Sequence, residues 1–323
     1  MEYSEKDVER LKKKYELTNE EFEQGLEQIE KIVFHNKKPV ENPVMTLVGG
    51  QPGSGKTEML INNNIEDENG NQIDNDIEDE NTVVMSIDDL AEIHPRGDQI
   101  KVECPELFSE VTLKAGRLWR NAIYAKVVDE KFNGKTEMIV QDKENDYKLI
   151  EKLKERDFKV IVKIMATSLK LSSYFVYKRY EEQLKYNMQY PKLPNAISSY
   201  ERIPESIGVI EEKGNADDVC IYIQSGNYKS RQVYSSKNKT NTNNKYISAK
   251  EALIEERKIQ DNQIEEDNKG TIIYGYDEIL NSMIKRKALP REIMRYKKDM
   301  EDVKKYYISK KEMPNNNVMM EER

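Results

Sequence analysis

The sequence predicts an α/β protein: a parallel sheet flanked by helices, followed by a helical C-terminal appendage. Three observations predict it. Five short apolar runs rich in β-branched residues recur along the first two thirds of the chain: "VMTLV" at 44–48, "TVVMSI" at 82–87, "EMIVQ" at 137–141, "VIVKIM" at 160–165 and "DVCIYI" at 218–223. Charged stretches with helical periodicity separate most of them, for instance Leu107 to Val128 and Tyr147 to Leu153. Strands that alternate with helices pair in parallel, because a crossover helix returns each strand to the same end of the sheet. Finally, 323 residues suffice to bury a substantial core.

The elements follow in order. Ser4 with Asp7, and Thr18 with Glu21, are capping-box patterns that start two helices. In the second helix Phe22, Leu26, Ile29 and Val33 recur at helical intervals and form a face to bury. Residues 62–82, "NNNIEDENGNQIDNDIEDENT", form an acidic, Asn-rich insertion with a repeated "IEDEN", read as a solvated hairpin or mobile loop. A calcium loop is excluded there, since Ile65 stands where its first carboxylate belongs. Near Lys237 the composition shifts, and "KNKTNTNNK" reads as a linker. Three helices are expected beyond it: Ser248 to Glu265, Tyr276 to Lys287 and Pro290 to Lys311, the last with an apolar stripe of Ile293, Tyr296, Met300 and Val303. The expected organisation is a domain over 1–236, a linker over 237–247 and a helical extension over 248–323.

Composition narrows the function. Charged residues make up 35% and the net charge is −8, which argues against a nucleic-acid backbone as the main partner, since that needs a basic footprint. Two cysteines, Cys104 and Cys220, exclude a disulfide framework and suit a reducing compartment. No apolar run approaches the roughly 20 residues of a membrane span, and a cytoplasmic location is expected.

Residues 49–57 read "GGQPGSGKT", and Gly50, Gln51, Pro52, Gly53, Ser54, Gly55, Lys56 and Thr57 match G-x-x-x-x-G-K-[ST] in full. The motif stands between an expected strand and an expected helix, the context a phosphate-binding loop needs. Glycines let backbone N–H groups turn toward β- and γ-phosphates, and the helix start adds partial positive charge. Lys56 brings a point charge, and the Thr57 hydroxyl is a Mg²⁺ ligand. ATP is the expected nucleotide, with GTP the alternative.

Together with "LTNEEFEQGLEQIEKIVFHNKKPVENP" and "IDDLAEIHP" at 87–95, this loop resembles the zeta toxin family of P-loop kinases that phosphorylate UDP-N-acetylglucosamine. Asp88, Leu90, His94 and Pro95 fit the family's pattern after its second strand, while Ala91 replaces a basic residue. The resemblance makes Asp88 the general base, and a strand-end carboxylate beside the loop suits that task. The alternative is a helix N-cap formed by Asp88 or Asp89. His94 reads equally as a substrate residue or a structural histidine.

The stretch "KIMATSLKLSSYFVYKRYEEQL" is similar to the family's next strand and helix, which implies that Arg179 contacts the transferring phosphate. A permanently charged fork fits that role; the alternative is an ion pair with Glu182. Lys192 stands where the family has a second arginine. "IPESIGVIEEKGNADDVCIYIQSGNYKSRQVYSS" is similar to the last hairpin, so the resemblance covers about residues 15 to 236.

On the acceptor side the likeness frays. The family's third strand ends in Glu-Gly-Thr, whose glutamate holds the amino sugar, whereas Gln141, Asp142 and Lys143 are expected there. Asp142 in that place would assist Mg²⁺, repel a substrate phosphate or face solvent. The resemblance implies an ATP- and Mg²⁺-dependent kinase of a nucleotide-sugar hydroxyl, the toxin of a toxin–antitoxin pair. Its product would poison cell-wall precursor synthesis, and an antitoxin protein would cover the nucleotide site. Phosphorylation of another nucleotide such as NAD is the related alternative. A catalytically silent nucleotide-binding module is the alternative of a different class, under which Asp88→Ala would change nothing measurable.

Overall fold

A computed structural model of the chain describes residues 3–61, 65–67, 71, 80–138, 140, 142–184, 191, 193–226, 229–238, 245–267 and 274–312. Its centre is a seven-stranded sheet in the order β2-β7-β6-β5-β1-β4-β3. The strands are β1 (Val44–Gly49), β2 (Ile65–Glu66), β3 (Thr82–Met85), β4 (Asn133–Glu137), β5 (Lys159–Met165), β6 (Asp218–Gly226) and β7 (Lys229–Ser235). All neighbours pair in parallel except β6 and β7, which form an antiparallel hairpin.

The helices are α1 (Glu5–Lys14), α2 (Asn19–Val33), α3 (Lys56–Ile61), α4 (Ile87–Glu92), α5 (Gly97–Glu103), α6 (Phe108–Asp129), α7 (Lys143–Lys154), α8 (Leu169–Gln183), α9 (Leu193–Lys213), α10 (Ala249–Asp267), α11 (Tyr276–Lys285) and α12 (Pro290–Glu312). Both predicted capping boxes form, at Ser4 with Asp7 and at Thr18 with Glu21. The face of α2 is buried on α6, where Trp119 Nε1 donates to the Phe22 carbonyl at 3.0 Å. A Cβ on Gly25 would overlap the Trp119 ring, so α2 comes this close only because position 25 has no side chain.

One strand lies elsewhere than expected. The apolar run suggested a strand over 137–141, yet β4 is the polar "NGKTE" of 133–137. As a central strand its place is set by pairing on both sides: Met45 to Val48 of β1 register with Gly134 to Glu137, and Thr82 to Met85 of β3 with Asn133 to Thr136. Gly134 admits Met45 and Val127, and the apolar Met138 and Val140 fill core space just past the strand end. The strand's C-terminal residue is therefore Glu137, four positions before Gln141.

Of the 62–82 insertion, Ile65 and Glu66 pair with Ser230 and Arg231, and Ile65 is buried against Met59, Leu60, Cys220 and Tyr222. This part is docked as an edge strand rather than solvated. Most of the insertion lies outside the described residues.

The C-terminal helices start and end within a few residues of expectation. Ala249, Ala252 and Leu253 of α10 belong to the same core cluster as the central strands. Tyr296, Met300 and Val303 of the α12 stripe are buried against α8, α9 and α11, each worth roughly 1.5–3 kcal/mol of burial. Among the described residues no helix is long and apolar enough to cross a membrane.

Candidate functional site

Ligands of such sheets sit beyond the C-terminal ends of the strands, where neighbouring connections diverge. The loop Gly50–Gly55 leaves β1 at that edge and enters α3. Gly53 has φ +77° and Gly55 φ +96°, both in the left-handed region that favours glycine. A Cβ on Gly53 would overlap the Ser172 carbonyl oxygen, and one on Gly55 would stand 2.5 Å from Gln224 Nε2. These glycines let the loop pack directly against α8 and β6 while adopting the left-handed backbone angles that turn its N–H groups toward a phosphate chain.

Beneath the cradle the loop is tied down. Ser54 N donates to the Gln51 carbonyl at 3.1 Å, and Thr167 Oγ1 donates to the Ser54 carbonyl at 2.9 Å. Lys56 Nζ donates to the Gln51 carbonyl at 3.2 Å. Thr57, the proposed Mg²⁺ ligand, is half-buried at the second position of α3.

Four charged groups on different elements act on one another electrostatically beside the loop. Burial lowers the Lys56 ammonium's pKa; the Glu137 carboxylate opposes that most, Arg179 lowers it further, and Asp88 raises it. Burial raises the pKa of Glu137; Lys56 lowers it, Asp88 and Asp89 raise it, and Arg179 lowers it. Three of these side chains, Lys56, Asp88 and Arg179, were singled out in the sequence. The fourth, Glu137, was missed because the strand was placed four residues too late. The signal was present as a carboxylate within reach of a β1 register, masked by the more apolar run behind it.

The alternatives raised for these residues are decided by their partners. Ser86, not Asp88 or Asp89, is the N-cap of α4, its Oγ accepting from Asp89 N. Asp88 sits exposed in the first turn, turned to the site's charges. Arg179 is exposed on α8 and, among the described residues, forms no ion pair with Glu182. Its neighbour Glu181 is instead clamped by Arg286, the C-cap of α11, at 2.9 Å from Nε and 2.8 Å from Nη2. Tyr177 bonds Asp299 of α12, and Tyr174 bonds Glu278 of α11 at 2.8 Å, so the helix carrying Arg179 is braced from the C-terminal side.

Two other expected residues, His94 and Asp142, are engaged elsewhere. His94 is buried, with Nδ1 accepting from Arg96 N at 3.2 Å, so Nε2 carries the proton and donates to the Tyr15 carbonyl at 3.0 Å. Both nitrogens are engaged by backbone, which favours the structural of its two readings over the substrate one: it pins the α1–α2 junction to the end of α4. Asp142 caps α7, accepting from the backbone N–H of Glu144 and Asn145, and is occupied by that task. Gln141 and Lys192 lie outside the described residues. Among those described, no group of three His, Cys, Asp or Glu side chains forms a metal site, so Thr57 remains the one protein group proposed for Mg²⁺.

A mostly parallel sheet of this order with a glycine phosphate loop at the end of β1 defines a P-loop kinase-like protein. The zeta toxin family profile matches residues 26–251. The chain belongs to the zeta toxin family. It is 26% identical over 256 residues to a toxin zeta of Streptococcus pyogenes, covering 77% of this chain and 81% of that one. It is also 26% identical over 252 residues to a toxin zeta of Enterococcus hirae, covering 76% and 80% respectively. In three dimensions it is similar to a chain of the PezAT chromosomal toxin–antitoxin system of Streptococcus pneumoniae, with TM-score 0.59 and 21% identity, over 87% of this chain and 99% of that chain.

Proposed function

We propose that the protein is an ATP- and Mg²⁺-dependent kinase that phosphorylates a hydroxyl of UDP-N-acetylglucosamine or a related nucleotide sugar, acting as the toxin of a toxin–antitoxin pair. The observation that carries it is the glycine loop of Gly50–Thr57 at the C-terminal end of β1, whose Lys56 is under the electrostatic influence of Glu137 at the end of neighbouring β4, of Arg179 and of Asp88. The acceptor hydroxyl oxygen attacks the γ-phosphorus while its proton passes to a carboxylate oxygen of Asp88. The bond to the β,γ-bridging oxygen breaks, and ADP leaves with that electron pair. Lys56 and Arg179 neutralise charge on the phosphoryl oxygens as it is transferred. The Thr57 hydroxyl would hold Mg²⁺, which when bound would supply further neutralisation of phosphate charge. Glu137 supports the amino-sugar reading, because it is a strand-end carboxylate of the kind the family resemblance assigns to holding the acceptor.

By analogy with the PezAT system and the zeta toxins, an antitoxin protein is the expected partner. Incubating the purified chain with MgATP and UDP-N-acetylglucosamine, followed by mass spectrometry, tests the reaction. One product heavier by a phosphate is expected, formed mole for mole with ADP, and Asp88→Asn should slow it about 10²–10⁴-fold. ATP consumption without a phosphorylated nucleotide sugar would overturn the acceptor. In that case the species gaining phosphate in a metabolite extract would identify it.

A further inference from the structure

Gln51 is the first variable residue of the phosphate loop, and its side chain is fully buried. Its Nε2 donates to the Thr167 carbonyl at 2.6 Å and to Ser172 Oγ at 3.3 Å. Its Oε1 accepts from Arg257 Nη2 at 3.0 Å. Arg257 lies 206 positions away, on α10, and outside the 26–251 span matched by the family. A carbonyl can only accept and a guanidinium can only donate, so these two partners leave the Gln51 amide a single orientation.

Arg257 is itself held rigidly. It is 2% exposed, its guanidinium lies 4.0 Å from the Tyr200 ring centroid, and Nη1 donates to the Tyr200 carbonyl at 3.0 Å. One turn on, Gln260 accepts from Ser168 N at 2.9 Å and donates to the Ala166 carbonyl, seizing the same β5–α8 connection that holds the loop from below. Asp261 accepts from Tyr307 of α12 at 3.0 Å. The Gln51 backbone then passes the constraint on, since its carbonyl receives both Ser54 N and Lys56 Nζ.

We infer that Arg257 is a positioning residue for nucleotide binding: through the Gln51 amide it sets the loop that carries Lys56, and so makes α10 a strut of the phosphate site. The inference rests on the reading of Gly50–Thr57 as a nucleotide site. It also assigns α10 a supporting role at the site. A buried cation hydrogen-bonded to a neutral amide rather than to a carboxylate is costly to keep, and an orienting role accounts for it.

The test is a titration of the full chain with MgATP, comparing the parent with Arg257→Lys, Gln51→Met, their double variant and Lys56→Ala, each well below its melting midpoint. Arg257→Lys keeps the charge but loses the fork, and should weaken MgATP about tenfold or more. The double variant should bind no more weakly than the weaker single one, because both changes cut one connection. Binding by Arg257→Lys within about twofold of the parent overturns the inference, as do additive effects. Should Arg257→Lys fail to fold, amide hydrogen exchange over residues 253–262 of the unmodified chain decides. Slower exchange with MgATP supports the strut, and unchanged exchange overturns it. Lys56→Ala separates the two levels: if it binds MgATP like the parent, the nucleotide-site reading itself fails.

Discussion

Gly53→Ala isolates how much of the phosphate cradle depends on one missing side chain. At φ +77° an L-residue carries a backbone penalty of about 1–2 kcal/mol. The new Cβ would also overlap the Ser172 carbonyl oxygen and stand 2.6 Å from Val176 Cγ2. Ser172 belongs to the first turn of α8, which is capped by Ser168, so the loop must lift rather than the helix yield. Overpacking of this kind costs about 1–3 kcal/mol. The total of about 2–5 kcal/mol divides between stability and MgATP affinity, and at 1.4 kcal/mol per tenfold even half of it weakens binding by about fivefold to sixtyfold. Gly214→Ala is the control: its φ is +67°, but nothing lies within 4 Å of its would-be Cβ. That variant should lose about 1–2 kcal/mol of stability and bind MgATP like the parent. Calorimetric titration with thermal melts reads both quantities. Gly53→Ala that binds MgATP as tightly as Gly214→Ala refutes the close-approach argument.

Three further outcomes are expected. Glu137 has a folded-state pKa above its ordinary value, so ionising it penalises the fold increasingly as pH rises from the usual carboxylate range through the raised value; Glu137→Gln should therefore raise the melting midpoint near neutral pH, with the gain fading toward pH 4, while phosphoryl transfer falls. A lower midpoint at neutral pH would count against it. Arg286→Ala leaves Glu181, whose side chain is 6% exposed, without its cation; urea unfolding should show a loss of about 3 kcal/mol, the low end for a broken buried pair because Arg286 is itself 27% exposed. His94→Phe removes two backbone hydrogen bonds and should cost about 2–3 kcal/mol of stability, yet leave the acceptor KM of the folded enzyme unchanged; a raised KM would return His94 to the substrate site.

The parts of the molecule visible beforehand were those governed by local chemistry. Capping boxes at Ser4 and Thr18, the α12 stripe and the three C-terminal helices each follow from spacings within a few residues. Lys56, Asp88 and Arg179 were reached because each stands in a short pattern. His94 was left open between a substrate and a structural reading for the opposite reason: its partner, the Tyr15 carbonyl, lies 79 positions away and is brought to it by the fold.

What the sequence by itself determined is the phosphate loop, because its glycines impose backbone angles that few other residues adopt, and the alternation of strand and helix around it. The tertiary structure alone decided where the third core strand lies, and hence that Glu137 faces the site, because a central strand is chosen by hydrogen-bond register with β1 and β3 rather than by its own hydrophobicity. It also decided that Arg257 reaches Gln51, since two groups 206 positions apart meet only when the core between them has packed.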